Sequence, residues 1–206
     1  MSDLSPVIAH SVETNATRDF AWSYMTDVKN WDDPPATFRL EGAFVTGSCG
    51  TTEMPGQPPR QWSLREVTPP QTYTLEIPLE GALIQCKWIF ADLADGRTAL
   101  TQQIYLAGEK ASSYREDVRQ KFAATLAPGM SRIAHAIDVA FVICRVRASA
   151  RTSIIPKTVG PGAPRLDSET WEKPNLCPEP RLCWVPHVST LRRGKPQNPT
   201  FIQSPA

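Results

Sequence analysis

Histidines, cysteines and clustered carboxylates most often carry proton transfer, nucleophilic attack or metal binding, and this chain uses them sparingly. It has three histidines and five cysteines in 206 residues. His10 lies in the run Ile8-Ala9-His10-Ser11-Val12, where strand alternation puts it on one face with Ile8 and Val12. An imidazole among apolar neighbours can move protons near neutral pH, and His10 is the one catalytic candidate; a histidine hydrogen-bonded as structure is the alternative. His135 falls between helical core positions, and His187 lies in a proline-rich terminus. No H-E-x-x-H or C-x-x-C pattern occurs, so neither a metal site nor a cofactor is expected. Gly47-Ser48-Cys49-Gly50 is only superficially like a nucleophile elbow, and Gly160-Pro161-Gly162 opens no helix that could hold phosphate. The cysteines, Cys49, Cys86, Cys144, Cys177 and Cys183, read as reduced thiols, some of them buried.

The elements that would position His10 occupy only part of the chain. Up to Cys144 there are 12 basic and 17 acidic residues, net −5; after it there are 10 and 4, net +6. The last 62 residues also hold 10 of the 20 prolines, which block helix interiors and central strands. Residues 1–146 are therefore expected to form one domain, and 147–206 a disordered, basic, proline-rich tail. Arg192, Arg193 and Lys195 are the densest basic patch of that tail, suited to an acidic partner. A net charge of +1 gives no global attraction to nucleic acid. No unbroken apolar run reaches the roughly 18–20 residues of a spanning helix, and the N-terminus has no basic-then-apolar signal pattern. A cytoplasmic protein without a membrane span is the expectation.

Within the domain, Val7–Thr14 reads as a strand, followed by a helix with Thr17 as its cap and Phe20, Ala21, Tyr24 and Met25 on its buried face. Asp27 to Trp31 reads as a second short turn, ended by Pro34-Pro35. Alternation then predicts strands at 37–44, 51–53, 60–67, 72–77, 84–90 and 98–106, joined by turn residues such as Asp95-Gly96. Serial hairpins of this kind form an antiparallel meander. The last element has the strongest period. Tyr114, Val118, Phe122, Leu126, Met130, Ile133, Ile137 and Phe141 recur at steps of three or four, which predicts an amphipathic helix of about 30 residues. Ser113 with Glu116 suggests its capping box, and Pro128-Gly129 a kink. The fold class is α+β: a curved antiparallel sheet of about seven strands on one long C-terminal helix.

That order resembles the helix-grip fold of the START/Bet v 1-like superfamily, in particular its polyketide cyclase/dehydrase and lipid-transport group. The resemblance rests on Ser11-Val12-Glu13-Thr14-Asn15-Ala16, on the turn Asp27-Val28-Lys29-Asn30-Trp31, and on the strand break Val67-Thr68-Pro69-Pro70. Trp88-Ile89-Phe90 with Gly96-Arg97-Thr98-Ala99-Leu100-Thr101, and Leu126-Ala127-Pro128-Gly129, complete it. These are turn and core residues, so they mark fold rather than function. The resemblance implies an apolar cavity between sheet and helix. By alternation its lining would include Trp62, Tyr73, Leu75, Trp88, Phe90, Gln102, Ile104, Phe122, Met130 and Ile133, each of which could equally be plain core. The expected partner is a hydrophobic small molecule or lipid, bound or transported. One alternative is a cyclase/dehydratase-like enzyme with His10 as base and Tyr73 or Gln102 as hydrogen-bonding partner. A second is an interaction protein that recruits an acidic partner through its basic tail.

Overall fold

The computed structural model describes residues 5–31 and 34–152. Its seven strands are β1 (Ile8–Thr14), β2 (Thr37–Leu40), β3 (Cys49–Glu53), β4 (Arg60–Thr68), β5 (Thr72–Leu79), β6 (Ala82–Asp92) and β7 (Thr98–Ala107). The helices are α1 (Arg18–Thr26), a 3-10 turn at Val28–Asn30, and α2 (Ala111–Thr152). All strand pairs are antiparallel, in the order β1-β7-β6-β5-β4-β3-β2. The meander runs from β2 to β7, and β1 then pairs with the last strand, so the first and last strands lie side by side beneath the closing helix. This is the helix-grip architecture.

Period two decides which side chains enter the core. Along β6 and β7 burial alternates strictly, with Ile84, Cys86, Trp88 and Phe90 facing inward beside Leu100, Gln102, Ile104 and Leu106. α2 answers with Val118, Phe122, Leu126, Met130, Ile133 and Ile137, all buried, while Tyr114 and Phe141 pack at the margins. The helix runs closest to β1 and then β7.

Helix ends depart from the sequence expectations. Thr17 stands at the α1 N-terminus but its hydroxyl makes no capping bond. It is the neighbouring Thr14 hydroxyl that accepts from the Ala16 amide, at 3.3 Å. α2 starts at Ala111, which places Ser113 inside the first turn, donating to the Lys110 carbonyl at 2.7 Å rather than capping. Pro128 lies within α2. At its far end the helix continues past the boundary expected at residue 146, so 147–152 are helical and not tail. The rest of the expected tail, 153–206, lies outside the described residues, with Arg192, Arg193, Lys195 and His187. Averaged over 18 residues rather than read as an unbroken run, part of α2 is apolar enough to cross a membrane by length and composition, although its inner side belongs to the core.

One carboxylate ties the two ends of the fold together. Asp138 of α2 accepts from the Thr14 hydroxyl at 2.5 Å, the Asn15 amide at 2.6 Å and the Asn15 side-chain amide at 3.0 Å. Thr14 is fully buried, so its hydroxyl has no ready exchange with water. Asp138→Ala is expected to lower stability by about 1–3 kcal/mol, the cost of leaving such a group unpaired, measured as the shift in a urea unfolding midpoint.

Candidate functional site

The ten residues proposed as lining sit on the inner face of the sheet or on the core side of α2, each 5% exposed or less. Trp62 belongs to β4, Tyr73 and Leu75 to β5, Trp88 and Phe90 to β6, Gln102 and Ile104 to β7, and Phe122, Met130 and Ile133 to α2. Nine of them share one buried apolar cluster, and Gln102 is buried with them as the one amide.

Strand register brings the polar members into one row. His10 on β1 pairs with Gln102 on β7, Gln102 with Trp88 on β6, and Trp88 with Tyr73 on β5. Directly opposed residues have Cβ atoms about 4.5–5.5 Å apart, so neighbours in this row touch. His10 is half-buried at the sheet's edge, on the side with Ile8 and Val12 as alternation requires. Gln102 is 1% exposed, and its side-chain carbonyl oxygen has no hydrogen-bond partner among the described residues. The Trp62 indole N–H, elsewhere in the same core, is likewise buried and unpaired.

Aromatic rings from α1, the short turn, the loop after β2 and strands β4 to β6 pack on one another. Tyr73 meets Phe44 at 5.1 Å, Trp22 at 6.0 Å and Trp88 at 6.3 Å between ring centroids, and Trp22 meets Phe90 at 5.2 Å. A second group forms where Trp31 packs on Trp62 at 5.5 Å, on Phe38 at 5.9 Å and on Phe44 at 6.2 Å. The short turn delivers Trp31. Asp27 accepts from the Lys29 amide at 3.1 Å, and the Trp31 indole donates to the Met25 carbonyl at 2.8 Å.

Two members of this site escaped the sequence reading. Trp22 lies beside the expected apolar face of α1 and reaches Tyr73 and Phe90 from its margin. Phe44 was assigned to the end of a strand, but β2 stops at Leu40, and the ring is carried on a loop between Gly42 and Gly47, both at positive φ. Those two glycines were the available signal. Gly50 is a buried position inside β3, opposite Trp62, where an added Cβ would stand 2.2 Å from the indole ring.

Acid–base chemistry elsewhere is accounted for by the surface. Glu76 is held by Arg65 and by the Gln85 amide, each at 2.7 Å. His135 is exposed on α2. Among the described residues no group of three or more His, Cys, Asp or Glu side chains could hold a metal ion. Burial pushes the Cys86 thiol up to about 12, so it stays protonated, whereas Cys49 is exposed.

No protein-family model matches the sequence, and no curated protein is significantly similar to it. Solved structures similar to it include a protein from Mycobacterium smegmatis, 16% identical with a TM-score of 0.47, the match covering 66% of this chain and 90% of that one. Another is a norcoclaurine synthase point mutant from Thalictrum flavum with a transition-state analogue, 12% identical with a TM-score of 0.49, covering 67% and 94%. Such identities and scores assign no activity to this chain.

Gly50→Ala is expected to destabilise by about 1–3 kcal/mol, because the Trp62 ring is packed against Trp31 and has nowhere to retreat; chemical denaturation of the pair checks it. At pH 8 a thiol reagent is expected to label Cys49 in the folded protein and Cys86 only after unfolding, read by peptide mass mapping.

Proposed function

We propose that the interior between the sheet and α2 receives an apolar small molecule bearing a hydrogen-bond donor. The reading rests first on Gln102. A buried amide oxygen without a partner costs about 1–3 kcal/mol, and a ligand hydroxyl or N–H would remove that cost. The aromatic side chains around it supply flat, apolar contact surface, as ligand sites generally do, with few polar groups to set orientation. The resemblance to the START/Bet v 1-like superfamily points the same way, since its architecture commonly houses such a site.

Binding, with or without transport, is the leading role. A second reading is favoured by one observation, the pairing of His10 with Gln102 on adjacent strands. A half-buried imidazole beside the amide could take a proton from a ligand that the amide orients, as a cyclase or dehydratase would require. That reading needs turnover that His10→Ala abolishes while binding persists.

Native mass spectrometry of the full chain, purified without detergent, is expected to show a co-purifying apolar species. Calorimetric titration with 1-naphthol and with 1-methoxynaphthalene tests the polar contact directly. The phenol is expected to bind about 5- to 10-fold more tightly than its ether, and Gln102→Leu to erase the difference. Absence of binding by both compounds, together with a clean apo mass, would leave the aromatic interior as a filled core.

A further inference from the structure

Beyond Asp138 the inner side of α2 still packs through Phe141 on Phe20, but its outward side changes character. At about 100° per residue, Val139, Val142, Ile143 and Val146 fall on one side of the helix, opposite Met130, Ile133 and Ile137, which face the core. Their spacing of i, i+3, i+4 and i+7 makes a continuous apolar stripe, with Val142 and Val146 exposed and Val139 and Ile143 half-buried. Val142 and Val146 are 57% and 62% exposed, two of the three large hydrophobic residues so exposed among those described. One turn earlier, the same side carries the exposed polar residues Ser131, Arg132 and His135, an ordinary solvated face.

Charge indicates what covers the stripe. Arg145 and Arg147, both exposed, project to either flank of it, and the Arg145 guanidinium lies over the Phe141 ring at 5.7 Å. From Val139 to Leu166 the sequence has five basic residues, Arg145, Arg147, Arg151, Lys157 and Arg165, and no acidic one. The chain up to Cys144 is net −5 and the sequence after it net +6, so the charge changes sign where the stripe lies. An apolar stripe bordered by arginines fits an interface whose interior is hydrocarbon and whose rim is anionic. A nucleic acid would satisfy the arginines and leave the valines in water.

We propose that this segment of α2 docks in the plane of an anionic lipid surface, with Val139, Val142, Ile143 and Val146 among the acyl chains and Arg145 and Arg147 at the headgroups. The inference stands independently of any ligand in the core.

Co-sedimentation of the full chain with vesicles tests it. Binding is expected to vesicles of phosphatidylcholine containing phosphatidylserine, and to be much weaker with phosphatidylcholine alone. The exposed pair Val142→Asp/Val146→Asp should weaken binding by tenfold or more, and Arg145→Gln by about fivefold, since each arginine near the surface contributes about that factor. Circular dichroism confirms that the variants fold. The proposal is overturned if the protein does not sediment with the anionic vesicles. It is equally overturned if binding survives the aspartates, because the basic terminus alone then suffices. A dimer in light scattering that Val146→Asp dissociates, without vesicle binding, would show that a second copy covers the stripe.

Discussion

The Asp138 carboxylate is the contact on which the rest of this structure depends. It accepts hydrogen bonds from Thr14 and Asn15, at the point where β1 turns toward α1, from a position near the end of the core section of α2. The three donors are satisfied by one group more than a hundred residues away in sequence, so the pairing exists only once β1 has joined β7 and α2 has crossed the sheet. The Thr98 hydroxyl reinforces the junction by donating to the Ala16 carbonyl at 2.8 Å. The junction therefore sets the register of the first strand against the last, and with it the placement of His10 beside Gln102. It also marks where α2 ceases to be a core helix.

That division organises what the protein can do. On one side of Asp138 the helix presses apolar residues onto β1 and β7, while the inner faces of β4 to β6 pack their rings on Trp22, Trp31 and Phe44. Such a core is expensive to leave with unpaired polar atoms, and it has them at Gln102 and Trp62. On the other side of Asp138 the helix packs at its margin, through Phe141 on Phe20, and bares Val142 and Val146. Val142 and Val146 gain little from folding, which is why their exposure speaks of a partner rather than of packing.

Much of the fold was legible because alternation and helical period are local. Trp88 and Phe90, or Val118 and Phe122, announce a buried face through their neighbours alone. The inner faces of β4 to β7 follow the expected parity, even though β4 shifts register between Leu64 and Glu66. Helix caps were less legible, since Thr17 and Ser113 have the right chemistry but the hydroxyls are used differently once the flanking loops are placed. Phe44 and Trp22 were missed for the same kind of reason. Phe44 lies on a loop and Trp22 off the apolar face of α1, and each becomes part of the aromatic interior only through rings contributed by other elements.

The sequence by itself determined the order of elements, the residues of each buried face and the change of charge near residue 144, because these follow from side-chain period and composition along the chain. Tertiary structure decided which polar groups meet. His10 opposite Gln102 and Asp138 between Thr14 and Asn15 are pairings across long stretches of chain, and Gly50 beneath Trp62 is one across the β3–β4 hairpin, all set by strand register and by the path of α2. Only the path of α2 in the folded chain decides that Val142 and Val146 stay exposed. A repeat of three and four residues reads the same whether its face meets a sheet or lies bare.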